Sequence, residues 1–461
     1  MKIIERHRII LALFLAGAVA LGAAAAQGEP ETAAEEPPIT DEERALHLES
    51  FDHLWKTVRE RHWDPDLGGI DWDAVRETYR PQVEAAKSAA EVSGILNDVL
   101  GELGQSHYKV IPKEAYEVIG SPEQLGVLDG TCGLNVWVVK NRPLVTAVEV
   151  GSPAAGAGVK MGWEVLKVDG LDMQELLEKV REIYADRSRL DGVLSGSVLS
   201  RLSGEVGEER TVVFEDGKGN EKEITMALVE VPGRKMKFGH LPAIKTWIKT
   251  RTLESGIGYV AFNHFLDPVR LMPVYNGAVD AHRDAPGLIV DVRGNGGGLP
   301  GMSMGMAAWF VTEADLFIGT VTMRDTDLKL VLNPREPRYT KPVAVLVDGL
   351  SASAAEFFAG GMQDLGCGRI FGTTTAGAAL PSVVEKLPNG DGFQYAIANY
   401  VSAGGEELEK RGVIPDEVVT PDRATLLNGV DPVLDAAVKW ILAQPAGKAA
   451  AAAESEQGGL R

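Results

Sequence analysis

Residues 342–366 read PVAVLVDGLSASAAEFFAGGMQDLG. Val343 to Val347 form a continuous apolar run, the pattern of a strand covered on both faces. The alanine-rich run from Ala354 favours a helix. A buried strand feeding a helix through a short turn is the repeating unit of an α/β fold. The turn leaves Ser351 and Ser353 at the helix mouth, where N–H groups point outward and favour negative charge. Ser351 is the better capping candidate, which leaves Ser353 as a candidate nucleophile.

Upstream, GLIVDVRGNGGG (287–298) repeats the motif of an apolar strand ending in a turn. No Lys-Ser or Lys-Thr follows the glycines, so a phosphate-binding P-loop is excluded. The third-glycine spacing of a dinucleotide fingerprint is missing as well. Glycines after a buried strand can present backbone N–H groups to a developing oxyanion. GIGYVAFNHF is a further strand, PVRLMPVYNGAVDAHRDA and MSMGMAAWF are helical, and Asp431 to Leu442 is a closing helix. From about residue 240 the alternation predicts an α/β unit with a mainly parallel or mixed sheet covered on both faces.

The first part of the chain has a different character. From Asp41, DEERALHLESFDHLWKTVRERHW places Leu46, Leu48, Phe51, Leu54, Trp55 and Val58 on one side of a helix. A second helical stretch runs through DAVRETYRPQVEAAKSAAEVSGILNDVLGEL, and the unit ends at LGQSHYKVIP (103–112). Short β-type runs follow. They are interrupted at 153–159 by a small-residue helical turn and close with RTVVFED and KEITMALVE near residue 230. The stretch GSPAAGAGVKMGWEVLKVDG (151–170) resembles the middle of a PDZ domain, with Trp163-Glu164 departing from the usual Gly-Asp. TCGLNVWV (131–138) resembles the loop and strand that hold a peptide's C-terminal carboxylate, which implicates Gly133, Leu134 and Asn135 in peptide binding by strand addition.

Composition narrows the function classes. The chain has 461 residues, enough for two or three cores, and a formal net charge of −20 that argues against a nucleic-acid partner. MKIIERHR followed by the apolar IILALFLAGAVALGAAAA has the form of a secretory leader, with an A-x-A site that predicts cleavage after Ala26 and export to the periplasm or medium. An uncleaved membrane anchor is the other reading of that stretch. Cys132 and Cys367, the only cysteines, fall in different units and are expected as separate thiols; no histidine spacing supports a metal site.

Taken together, GLIVDVRGNGGG, VAVLVDGLSASAAEFFAGGMQDLGCGRIFGTTTAGAALP and EKRGVIPDEVV resemble the C-terminal processing, or tail-specific, serine peptidases, over about residues 41–442. Beside the signal peptide at 1–26 and the acidic, proline-rich linker at 27–40, both read from composition, the resemblance implies the domain order. A helical unit follows at 41–115, a PDZ domain at 116–232, an α/β serine peptidase domain at 233–442 and a disordered tail at 443–461. It makes Ser353 the nucleophile, with the N–H groups of Ala354 and Gly297 as oxyanion hole and no cofactor. The lysine that serves as base in much of the family belongs at position 378, which here is alanine. The tricorn branch instead uses a histidine preceded by serine, together with a later glutamate. Ser106-His107 and Glu409 match that pattern, with Glu406 and Glu407 as competing acids. The implied activity is endoproteolysis of extended polypeptides gripped near their C-terminus. A non-catalytic binder of apolar ligands or protein partners on the same scaffold is the rival reading.

Overall fold

The computed structural model describes residues 39–113, 129–184 and 190–445. The leader, nearly all of the linker and most of the expected tail lie outside the described residues.

Three helices open the described chain: α1 (Asp41–Arg61), α2 (Trp72–Ala85) and α3 (Ala89–Gly101). Thr40 caps α1 by accepting the Glu43 N–H, and the Glu43 carboxylate accepts the Thr40 N–H in return. The single helical stretch expected after α1 is two helices, because the Ser88 hydroxyl accepts the Glu91 N–H and starts a new one. The buried face of α1 is also narrower in hydrophobes than its periodicity suggests. Phe51, Leu54 and Val58 are buried together with His47, Ser50 and Thr57, whereas Leu46 is exposed. Strand β1 (Lys109–Ile111) follows directly on Ser106-His107.

The middle of the chain is an antiparallel sheet, β2 (Leu134–Val139), β3 (Arg142–Val148), β4 (Glu164–Val168), β5 (Glu209–Glu215) and β6 (Glu221–Ala227), hydrogen-bonded in that order. Helices α4 (Met173–Tyr184) and α5 (Leu190–Arg201) lie between β4 and β5 in sequence. Val136, Val145, Val165, Leu177, Val198 and Phe214 are among the residues that fill its core.

The largest unit is the expected α/β layer structure. Its strands are β7 (Ile248–Thr252), β8 (Gly258–Phe262), β9 (Leu288–Asp291), β10 (Val343–Val347), β11 (Arg369–Gly372) and β14 (Glu417–Val418), arranged in that order. The sheet is mixed: β7 runs antiparallel to β8, and the other pairs are parallel. Helices α6 (Pro268–Ala281), α7 (Pro300–Ala307) and α8 (Ala354–Asp364) contribute Tyr275, Met306 and Phe358 to the core on one face. Helix α9 (Pro432–Ala443) covers the other with Val433, Ala437 and Ile441.

Strands β12 (Ser382–Lys386) and β13 (Gly392–Ala396) leave this unit and pair with β1 in the order β1-β13-β12. Leu387, Phe393 and Tyr395 thereby complete the core of the helical unit. That pairing brings the segment after α3 to the mouth of α8. Cys132 and Cys367 are both free thiols.

Candidate active site

The β10–α8 turn is held open by its own hydrogen bonds. The Ser351 hydroxyl donates to the Val292 carbonyl at 2.7 Å and accepts the Asp348 N–H. Ser351 therefore ties the turn to the neighbouring strand end and does not cap α8, contrary to its reading as the capping residue. Ser353 occupies the N-cap position with φ 55° and ψ −117°. A non-glycine residue at positive φ costs on the order of 1–3 kcal/mol and persists only where its surroundings impose it. Glu356 is what imposes it here. Its carboxylate, fully buried, accepts the Ser353 N–H (2.9 Å), the Ala378 N–H (2.9 Å), the Gly377 N–H (2.7 Å) and the Thr375 hydroxyl (2.6 Å). Thr375 itself accepts the Val413 N–H, so its single proton goes to Glu356. All four contacts suit a carboxylate, while burial pushes the group the other way, up to about 7.

The glycine turn lies against Ser353. Gly297 has φ 92°, and a Cβ on it would sit 2.7 Å from both the Ser353 Cβ and the Ala352 carbonyl. The close approach and the backbone conformation both require glycine here. The Gly297 N–H, expected in the oxyanion hole, donates to Asn295 Oδ1 at 2.9 Å. The Ala354 N–H, at the first position of α8, makes no hydrogen bond to another described residue. His264, without context in the sequence, packs beside the Gly297 backbone, where burial pushes its imidazole down to about 4 and keeps it neutral.

Ser106, His107 and Glu409 come together from residues 303 positions apart. The Ser106 hydroxyl stands 2.7 Å from His107 Nδ1 and 2.7 Å from Glu409 Oε2, and Glu409 Oε1 accepts the Ser106 N–H at 2.7 Å. Glu406 and Glu407 point elsewhere, to Arg411 and Asn399. Glu409 also accepts the Ala379 N–H at 3.0 Å, and the preceding Ala378 carbonyl accepts the Ser353 N–H at 2.9 Å. Consecutive residues of one loop thus tie the Ser106–His107–Glu409 group to the turn carrying Ser353. Ala378 is buried against Ala352 and Ala376, and Lys386 lies at the exposed end of β12. His62 packs from behind, its ring stacked on Tyr108 at 5.6 Å and its Nε2 3.2 Å from Gln105 Oε1. Sequence reasoning missed the positioning contacts of His62 and Thr375, and no local motif or spacing marked them.

Protons can be assigned along the relay. A carboxylate only accepts, so the Ser106 hydroxyl donates to Glu409 and accepts from His107. That fixes the imidazole with its hydrogen on Nδ1 and the lone pair on Nε2. Such a tautomer is ready to take a proton from a hydroxyl.

The segment expected for peptide capture makes hydrogen bonds within the chain. The Gly133 N–H donates to Thr131 Oγ1 at 2.9 Å, and its carbonyl accepts the Glu149 N–H. Leu134 and Asn135 pair with Val148 and Ala147. The free edge of β2 is covered by α5, whose Ser195 hydroxyl accepts the Val138 N–H at 2.9 Å.

Residues 256–419 match the family model for peptidase family S41, and residues 44–101 match the tricorn protease C1 domain. The S41 match falls on the α/β unit that carries Ser353. By class the chain is a serine peptidase, a hydrolase. The carboxyl-terminal-processing protease of Synechocystis sp. is 25 % identical over 386 residues, covering 82 % of this chain and 81 % of its own length. Tricorn protease homolog 1 of Streptomyces coelicolor is 24 % identical over 428 residues. That match covers 88 % of this chain, which spans only 36 % of the tricorn homolog. Among solved structures, the photosystem II D1 C-terminal processing protease shares the fold, with a TM-score of 0.54 at 21 % identity, covering 86 % of this chain and all of that one. No helix among the described residues is long and apolar enough to cross a membrane.

Proposed function

We propose that the chain is an exported serine endopeptidase that hydrolyses peptide bonds through Ser353, with His107 as general base. The relay from Glu409 through Ser106 to His107 Nδ1, both contacts at 2.7 Å, is the observation that carries this reading. In this mechanism the Ser353 hydroxyl attacks the scissile carbonyl as its proton passes to His107 Nε2. The Ala354 N–H and the Gly297 N–H, then shared with Asn295, stabilise the oxyanion. His107 returns the proton to the leaving amine, and water repeats the sequence on the acyl-enzyme. Glu409, acting through Ser106, orients the imidazole and stabilises its charged form. Alanine at 378 removes the lysine alternative, and its close packing supports the histidine reading.

Residues 116–232 form a PDZ-like unit that receives extended polypeptide, and residues 233–442 form the catalytic unit. Peptide addition to β2 requires α5 to yield the Val138 N–H. Export rests on the leader at residues 1–26. The test is hydrolysis of an unfolded protein by the purified mature chain, with cleavage sites read by mass spectrometry. Internal cleavage by wild type and none by Ser353→Ala is the expected result. Cleavage that survives in Ser353→Ala would overturn the assignment.

A further inference from the structure

Lys109 lies two residues beyond His107, on β1. Its register partner is Gln394, while the next pair is Val110 with Phe393. Val110, Phe393 and Tyr395 enter the helical core, so Lys109 and Gln394 share the opposite face. Gln394 is fully buried and donates to the Ser382 hydroxyl at 2.9 Å. Ser382 follows by three residues Ala379, whose N–H binds Glu409. The face that holds Lys109 and Gln394 therefore starts two residues after His107 on one strand and three residues after Ala379 on another.

We propose that Lys109 is a specificity-determining residue of that site, its ammonium group taking a carboxylate of the bound polypeptide. The inference rests on the peptidase reading above. Among the described residues no carboxylate forms an ion pair with Lys109. Lys109 is half-buried, and a cation partly withdrawn from water with no acid beside it gains from an incoming carboxylate. Burial alone acts on this amine, pushing it down to about 7, and a bound anion would restore its charge. The carboxylate has two possible sources with the same chemistry, a chain terminus or an Asp or Glu side chain.

Binding to the full chain carrying Ser353→Ala separates the sources without any cleavage. Two pairs of fluorescent peptides differ only in a C-terminal acid against amide, or in an internal Glu against Gln. We expect one pair to show about tenfold tighter binding of the carboxylate member, the scale of one charge-assisted contact. That ratio should fall to about one in Ser353→Ala/Lys109→Met and persist in Ser353→Ala/Lys109→Arg, with thermal melts reporting folding of each. Equal binding within both pairs, or a preference unchanged by Lys109→Met, overturns the proposal. A Lys109-dependent preference in a chain whose wild type cleaves nothing would sustain this inference while the peptidase reading fell.

Discussion

Glu356 carries two opposing demands. Its four donors call for a carboxylate, yet burial raises it to about 7 from an ordinary value near 4.5. Between those two values the folded chain holds a proton that the unfolded chain releases. The contribution of Glu356 to stability therefore falls as pH rises from about 4.5 to about 7, by roughly 3 kcal/mol. Activity should move the opposite way, because protonation sets a hydrogen against one of the four donors and loosens the Ser353 turn. In Glu356→Gln the turn loses acceptors at all pH values. Denaturant titrations across that window should show the pH slope of stability flattened in the variant, with peptidase activity reduced at least tenfold. An unchanged slope would mean that Glu356 does not titrate there. Ser353 as nucleophile candidate was legible from its place between a buried strand and a helix. The weight borne by Glu356 was not, because its partners at 375–378 lie beyond any local spacing rule.

At the scale of elements, α5 meets the strand-turn-helix that carries Ser353 directly. A Cβ on Gly192 would stand 2.5 Å from the Gly349 carbonyl, and one on Gly349 would stand 3.3 Å from the Trp137 ring of β2. Gly192→Ala must therefore shift the backbone four residues before Ser353. The expected consequence is a tenfold or greater drop in the rate of Ser353 acylation, with β2 and its core left in place. Acylation at the wild-type rate would show that α5 and the turn move independently. The α/β strands were readable from their unbroken apolar runs. The break between α2 and α3 was not read because the residues on both sides favour a helix, and only the Ser88 cap divides them.

Across the whole molecule, the Ser106–His107–Glu409 group is assembled by pairing distant parts of the chain. The β1-β13-β12 sheet carries Ser106-His107 to a loop that also binds Ser353, and Phe393 and Tyr395 lock it into the helical core. Sequence motifs supplied the candidates in order, whereas this exchange of strands between units depends on registers that no motif encodes. The middle unit is joined to the α/β unit by Arg423, which bonds the Gly162 carbonyl and pairs with Glu215, and by the Lys249–Glu149 ion pair. Its place beside the Ser353 turn follows from those contacts and from α5.

The central claim is that Ser353 is activated by a histidine oriented through a serine and a glutamate. Covalent labelling of the mature chain with a fluorophosphonate probe tests it most directly. The account predicts labelling of wild type, none of Ser353→Ala, loss by a factor of about 100 or more in His107→Ala, and a drop of about tenfold or more in Ser106→Ala. A folded wild type that takes no label, or a His107→Ala chain labelled at the wild-type rate, would contradict it.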